Sequence, residues 1–226
     1  MPTVLITGAS RGIGKALADQ YEGDGWDVIR ICRDPKGAGI PDALKLDVTD
    51  LDDVCDAAEA LSGRPIDVLI NNAGVIGQRD AALGSIDCRL WEETFRINTL
   101  APIRVAEALV ANVAASDRKT MVFISSVMVF ISSVMGSIAR NAGGHYLYRS
   151  TKAALNAAMV SVSQELAPRG IICISMHPGW VQTEMGGPTA AVTVPDSATG
   201  IRRVVAGLQS SDNGRFYDYD GAEIPW

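Results

Sequence analysis

Tyr148 and Lys152 stand four residues apart in a run, 148–167, that has helical spacing, so the two side chains share a face and their head groups can converge on one ligand. A lysine ammonium beside a phenol stabilises the phenolate and lowers its pKa from about 10. Such a phenol can exchange a proton with a carbonyl or alcohol oxygen near neutral pH. The spacing alone is weak, because Tyr/Lys pairs four apart are common on surface helices.

A second group of residues points to a phosphate ligand. Thr7-Gly8-Ala9-Ser10-Arg11-Gly12-Ile13-Gly14 follows a short apolar run, and its glycines permit a tight turn that lets a pyrophosphate reach the N–H groups at the positive end of the next helix. A plain tight turn is the alternative. Dinucleotide choice depends on what meets the adenosine ribose: a carboxylate accepts from a free 2′-hydroxyl, whereas an arginine pairs with a 2′-phosphate. The second apolar run ends Ile31-Cys32-Arg33-Asp34. Arg11 and Arg33 together would clamp a 2′-phosphate and favour NADP, although Asp34 keeps NAD open and two solvated arginines are the bland reading. Asn71-Asn72-Ala73-Gly74 offers amides that can tie parallel strands together, and small residues that leave room for a cofactor.

Positioning these groups requires an alternating scaffold, and the pattern supplies one. Apolar, β-rich runs at 3–7, 27–32, 43–48, 67–70, 171–176 and near Phe216 read as strands. Helical spacing covers 14–21, a segment capped by Thr49/Asp50 and running to Leu61, 86–115 with Pro102 kinking or dividing it, 148–167 and 197–208. Strands alternating with helices predict one α/β domain over 1–226: a doubly wound, Rossmann-like parallel sheet of about seven strands, covered by helices on both faces. Ligands of such sheets bind at the carboxyl ends of the strands, which is where every suggestive segment falls.

Composition narrows the function classes. A length of 226 residues suits one domain, and 47% apolar with 20% charged residues is the balance of a folded globular chain. A net charge of −6 gives no electrostatic footprint for nucleic acid or an anionic membrane surface. Cys32, Cys55, Cys88 and Cys173 show no CxxC spacing, and His145 and His177 lie far apart, so neither a metal nor a disulfide framework is expected. The opening Met-Pro-Thr-Val-Leu-Ile-Thr-Gly lacks the basic region and long apolar stretch of a signal peptide, and a cytoplasmic location is expected. His177 reads as a loop residue before the Pro178-Gly179 turn. His145 reads either as a surface residue or as a neighbour of the substrate.

Taken together, the glycine turn, Asn71-Asn72-Ala73-Gly74, Ser132-Ser133-Val134-Met135-Gly136-Ser137, Tyr148-Arg149-Ser150-Thr151-Lys152 and the run from His177-Pro178-Gly179 to Gly187 resemble the short-chain dehydrogenase/reductase family from Thr3 to Trp226. Within it they look like the small Sniffer-type and C-factor-like carbonyl reductases. The resemblance implies hydride transfer between NADP(H) and a small-molecule carbonyl/alcohol pair, with Tyr148 as catalytic acid and Lys152 lowering its pKa and holding the nicotinamide ribose. It further implies that a serine of the Ser-Ser pair orients the substrate carbonyl and that Asn98 holds the water of a proton relay. Gly8, Ser10, Arg11, Gly12, Ile13 and Gly14 would line the phosphates and ribose, with Arg33 at the 2′ position and Asp47 and Val48 at the adenine. Asn72, Ala73 and Gly74, then Pro178, Gly179, Val181 and Thr183, would follow the nicotinamide half. Met135, Ile138, Tyr146, Trp180 and Met185 would suit an apolar carbonyl. A homodimer or homotetramer, assembled through the long helices, is implied in the same way.

One feature departs from that family: MVFISSV occurs twice, at 121–127 and 128–134, where family members carry one such strand. Fifteen residues at about 3.3 Å each would span roughly 50 Å, against a usual ~17–20 Å, so one copy must be displaced. If the second copy is the strand, Ser133 is the catalytic serine. If the first is, Ser126 takes that role. Ser133 is preferred here because it leaves the catalytic loop unchanged. The duplication also keeps open a dinucleotide-binding signalling protein with weak or no catalysis.

Overall fold

The computed structural model describes residues 1–125 and 135–226. Seven parallel strands, β1 (Thr3–Thr7), β2 (Asp27–Cys32), β3 (Leu44–Lys45), β4 (Val68–Asn71), β5 (Thr120–Ile124), β6 (Ile172–His177) and β7 (Phe216–Asp218), form one sheet in the order β3-β2-β1-β4-β5-β6-β7. The order reverses at β1, which places a crevice at the carboxyl ends of β1 and β4.

Among the described residues, six α-helices cover the sheet: α1 (Gly12–Gly23), α2 (Leu51–Ala60), α3 (Cys88–Phe95), α4 (Ala101–Ala114), α5 (Tyr146–Leu166) and α6 (Val194–Gly207). Alternate residues of each strand face opposite layers. Leu5, Leu69, Met121, Phe123 and Cys173 pack with Val105, Leu109, Leu155 and Met159 of α4 and α5, whereas Val4, Ile6, Ile70, Val122 and Ile174 pack with Leu17 of α1 and Ile201 of α6. Because both faces are buried, the strands read as unbroken apolar runs, and each large side chain removed from water contributes about 1.5–3 kcal/mol.

Several boundaries differ from the sequence reading, each for a local reason. The strand expected at 43–48 is only Leu44–Lys45, because Asp47 is drawn into the cap of α2: its N–H donates to Asp53 Oδ2 (2.8 Å) and its carboxylate accepts from Thr49 N–H (2.9 Å) and Thr49 Oγ1 (2.8 Å). The helix expected at 86–115 begins at Cys88, and it is divided, as Pro102 led one to expect, into α3 and α4 by one π turn, Arg96–Leu100, ahead of that proline. Pro102 has no N–H to offer the Asn98 carbonyl four residues back, and the ladder widens there instead. The last helix begins at Val194 rather than 197, since Thr193 Oγ1 caps it by accepting from Asp196 N–H (3.2 Å) and Pro195 suits its first turn. His177 is the final residue of β6, not a loop residue.

The duplication resolves in favour of the first copy as the strand, against the expectation that the second would fill it. Met121 to Ile124 lie in β5, paired with β4 and β6. The physical reason is chain length: α4 ends at Ala114, and the turn through Ser116–Lys119 delivers Thr120 directly to its partners Val68 and Ile172. No residues remain there for a bulge. Ser126 and Ser133 both lie outside the described residues.

Candidate active site

A cleft of about 1280 Å³ runs along the carboxyl ends of the strands. At one end, the β1–α1 turn is shaped by Gly8 (φ 69°) and Gly12 (φ 55°), both in the left-handed region that favours glycine. Gly14 serves a different purpose from the lining role expected of it: a Cβ there would fall 2.3 Å from the Gly8 carbonyl oxygen and 2.5 Å from Asn72 Nδ2. Asn72 fastens β4 to β1, its Nδ2 donating to the carbonyls of Thr7 (2.9 Å) and Gly8 (3.2 Å) and its N–H to Thr7 Oγ1 (3.0 Å). Asn71, expected to help, is buried and makes no side-chain hydrogen bond among the described residues. Gly14→Ala is therefore expected to cost about 1–3 kcal/mol in a urea melt and to weaken nucleotide binding, because the clash is with backbone that cannot step aside.

Arg11, Arg33, Asp47 and Val48 line the same end of the cleft. Burial works to raise the Asp47 carboxyl, but hydrogen bonds from Thr49 and the charges of Arg33 and Arg96 hold it below its ordinary value. Arg96, which also lines the cleft, carries no motif and was not foreseen.

At the other end stand Tyr148 and Lys152, 1% and 3% exposed, both facing the cleft. Lys152 Nζ lies 5.8 Å from the centre of the Tyr148 ring and donates to the Ile124 carbonyl at 2.9 Å. Burial pushes the Lys152 ammonium down to about 7. Tyr148 is wedged among Met135, Phe216 and Ile224. Of the other apolar residues expected around a substrate, Ile138 and Tyr146 are exposed, and the Trp180 indole donates to the Gly186 carbonyl (2.8 Å).

Asn98 sits in the π turn behind this pair, fully buried and outside the cleft lining. Its Nδ2 donates to the Val75 carbonyl (2.7 Å) and Thr151 Oγ1 (3.1 Å), and its Oδ1 accepts from Val75 N–H (2.9 Å). It thus locks the wall after β4 to α5. Gly74 lies between: a Cβ there would stand 3.2 Å from Asn98 Oδ1 and 3.6 Å from Lys152 Nζ. Gly8, Ser10, Gly12, Ile13, Ala73, Gly74, Gly179, Val181 and Thr183 line the cleft, whereas Pro178 does not. The Pro178 carbonyl accepts from Ser197 Oγ (2.6 Å), so it anchors the loop to α6.

Ser125 is fully buried, and its Oγ makes no hydrogen bond among the described residues. It abuts Gly136, whose added Cβ would fall 2.6 Å from Ser125 Oγ and 2.8 Å from Asn156 Nδ2. Ser125 of the first copy and Gly136, just past the second, therefore lie side by side, and α5 holds both neighbourhoods, through Lys152 on the Ile124 carbonyl (2.9 Å) and Asn156 Nδ2 on the Gly136 carbonyl (3.0 Å).

A glycine-shaped turn opening a helix at the crevice of a seven-stranded parallel sheet, with tyrosine and lysine four apart on α5, defines a dinucleotide-dependent dehydrogenase site. Residues 2–192 match the short chain dehydrogenase family, and the chain belongs to it. The C-signal of Myxococcus xanthus is 46% identical over 163 residues, which cover 72% of this chain and 93% of that protein. Among solved structures, the carbonyl reductase Sniffer of D. melanogaster superposes with a TM-score of 0.90 at 30% identity, covering 100% of both chains. An NADPH-bound carbonyl reductase from chicken fatty liver gives 0.88 at 29% identity, covering 100% of this chain and 99% of that one.

Proposed function

We propose that this protein is an NADP(H)-dependent carbonyl reductase, and the observation that carries the reading is the buried Tyr148–Lys152 pair facing a nucleotide-sized cleft that has Arg11 and Arg33 at its far end. The residues fit the dinucleotide: the turn at Gly8 and Gly12 presents the α1 N-terminus, Gly74 keeps space beside Lys152, and the two arginines suit a 2′-phosphate. The likeness to an NADPH-bound carbonyl reductase supports the same choice. When bound, NADPH supplies the hydride for the carbonyl carbon.

The chain's own residues do the rest. Tyr148 donates the proton to the carbonyl oxygen, Lys152 stabilises the phenolate left behind, and the Ile124 carbonyl keeps the Lys152 ammonium in place. Asn98 fixes Val75 and Thr151, and with them the distance between the wall and α5. A serine from the duplicated stretch would orient the carbonyl. With the first copy in β5, Ser126 follows the strand as Ser133 would have followed the second copy. The test is NADPH oxidation against a panel of aldehydes and ketones.

A second reading, a nucleotide-binding signalling protein with little catalysis, is favoured by the similarity to C-signal and by the duplication. The two readings separate on deletion of residues 128–134. Because Ser125 and Gly136 lie so close that a Cβ on Gly136 would fall 2.6 Å from Ser125 Oγ, Ser126, Val127 and Met135 suffice to join them, and the shortened chain is expected to fold. Its kcat/KM toward carbonyls is expected to change by about tenfold or more, equivalent to roughly 1.4 kcal/mol, with nucleotide affinity retained. Unchanged kinetics and substrate range would show that the duplication is inert.

No helix among the described residues is long and apolar enough to cross a membrane. A cytoplasmic setting suits the four free cysteines. The long helices α4 and α5 would provide the surface for self-association, with Leu100 exposed at the head of α4.

A further inference from the structure

Glu184 reaches across the mouth of the cleft to Arg11, with Oε2 and Nη1 2.5 Å apart and the two side chains about three-quarters exposed. Its loop is firmly built. Gly186 N–H donates to Thr183 Oγ1 (3.0 Å), Gly187 N–H donates to the Thr183 carbonyl (2.8 Å), and the Arg79 guanidinium donates to the Met185 carbonyl (3.1 Å). A side chain at Gly186 would collide with the Val181 carbonyl, its Cβ only 1.9 Å away, so the turn is held tight and keeps Glu184 over the β1–α1 turn. Neither the glycine motif nor the proton-transfer pair accounts for this carboxylate.

We propose that Glu184 is a specificity-determining residue that opposes the 2′-phosphate and so moderates the preference for NADP(H) over NAD(H) that Arg11 and Arg33 create. The inference rests on the reading of those arginines as partners of the 2′-phosphate. A carboxylate on one edge of the Arg11 guanidinium offsets its charge and lies close to any anion held on the other edge. A phosphate group is repelled by that neighbour, whereas the neutral 2′-hydroxyl of NAD is not. Both groups are exposed, so the effect is modest and salt screens it. If the pair instead acted as a clasp over the pyrophosphate, which both dinucleotides share, its loss would weaken NAD and NADP equally.

The experiment is calorimetric titration of the purified protein and of Glu184→Gln, Arg11→Ala and the double variant with NADP+ and with NAD+, at low and high salt. Glu184→Gln is expected to tighten NADP+ about 2- to 5-fold at low ionic strength, to leave NAD+ unchanged, and to lose its effect at high salt or on the Arg11→Ala background. An unchanged NADP+/NAD+ ratio, or equal weakening of both, overturns the role of Glu184. If Arg11→Ala lowers the ratio while Glu184→Gln does nothing, only the Glu184 inference fails. If Arg11→Ala also leaves the ratio unchanged, the arginine reading falls with it.

Discussion

Tyr148→Phe is expected to slow carbonyl reduction about 10²–10⁴-fold, the usual worth of a positioned general acid, while nucleotide affinity and the melting temperature stay close to those of the parent. The change removes one oxygen from a residue that is 1% exposed and packed among Met135, Phe216 and Ile224, so the ring continues to fill its place. The loss should therefore fall on kcat, since the proton moves only as charge develops on the substrate oxygen. Stopped-flow or steady-state oxidation of NADPH with one good carbonyl substrate checks it. A variant that retains more than about a tenth of the parental kcat would remove Tyr148 from the role of acid.

Lys152→Met is expected to have a comparable effect on turnover together with a distinctive effect on stability. Without the ammonium, the phenolate left by proton transfer loses its stabilising charge, and a drop of about 10²-fold or more follows. The stability effect comes from burial, which pushes Lys152 from 10.5 down to about 7. In the unfolded chain the lysine keeps its proton up to about 10.5, whereas the folded chain releases it near 7. Between those values the unfolded state binds the extra proton, so the lysine's contribution to stability rises with pH across that window and is flat below it. Methionine has no such slope. In urea melts, the stability difference between the two proteins is expected to shift in the variant's favour as pH falls from about 10 to about 7, then to stay constant. A difference independent of pH would mean that Lys152 keeps its ordinary pKa in the folded protein.

Much of this architecture is legible in the sequence, because local rules govern it. The run Thr3–Thr7 is apolar on both faces, and the glycines at 8 and 12 are where φ must be positive, so strand, turn and helix follow from the residues themselves. The Tyr148/Lys152 face follows from helical geometry in the same way.

What escaped depends on contacts far apart in the chain. Glu184 meets Arg11 across 173 residues, and Arg96 acts on Asp47 from a helix with no motif at that point. The Asn98 side chain anchors Val75 and Thr151, and nothing in its neighbours' sequence announces this. His177 looked like part of the Pro178-Gly179 turn, but β6 extends one residue further because β7 pairs with it at Asp218. The duplicated strand was illegible for a different reason. Identical copies satisfy the sheet's alternation equally well, so only the length of the turn before Thr120 decides which one is used.

The central claim is that this cleft moves a hydride from NADPH to a carbonyl carbon. The most direct measurement is a turnover with NADPH deuterated at the transferring position of C4, followed by mass analysis of the alcohol formed. One deuterium on the carbinol carbon, in an alcohol that Tyr148→Phe forms about 10²–10⁴-fold more slowly than the parent, is the predicted result. Tight NADPH binding with no label in the product of any aldehyde or ketone tested would contradict the claim and leave a nucleotide-binding protein without reductase activity.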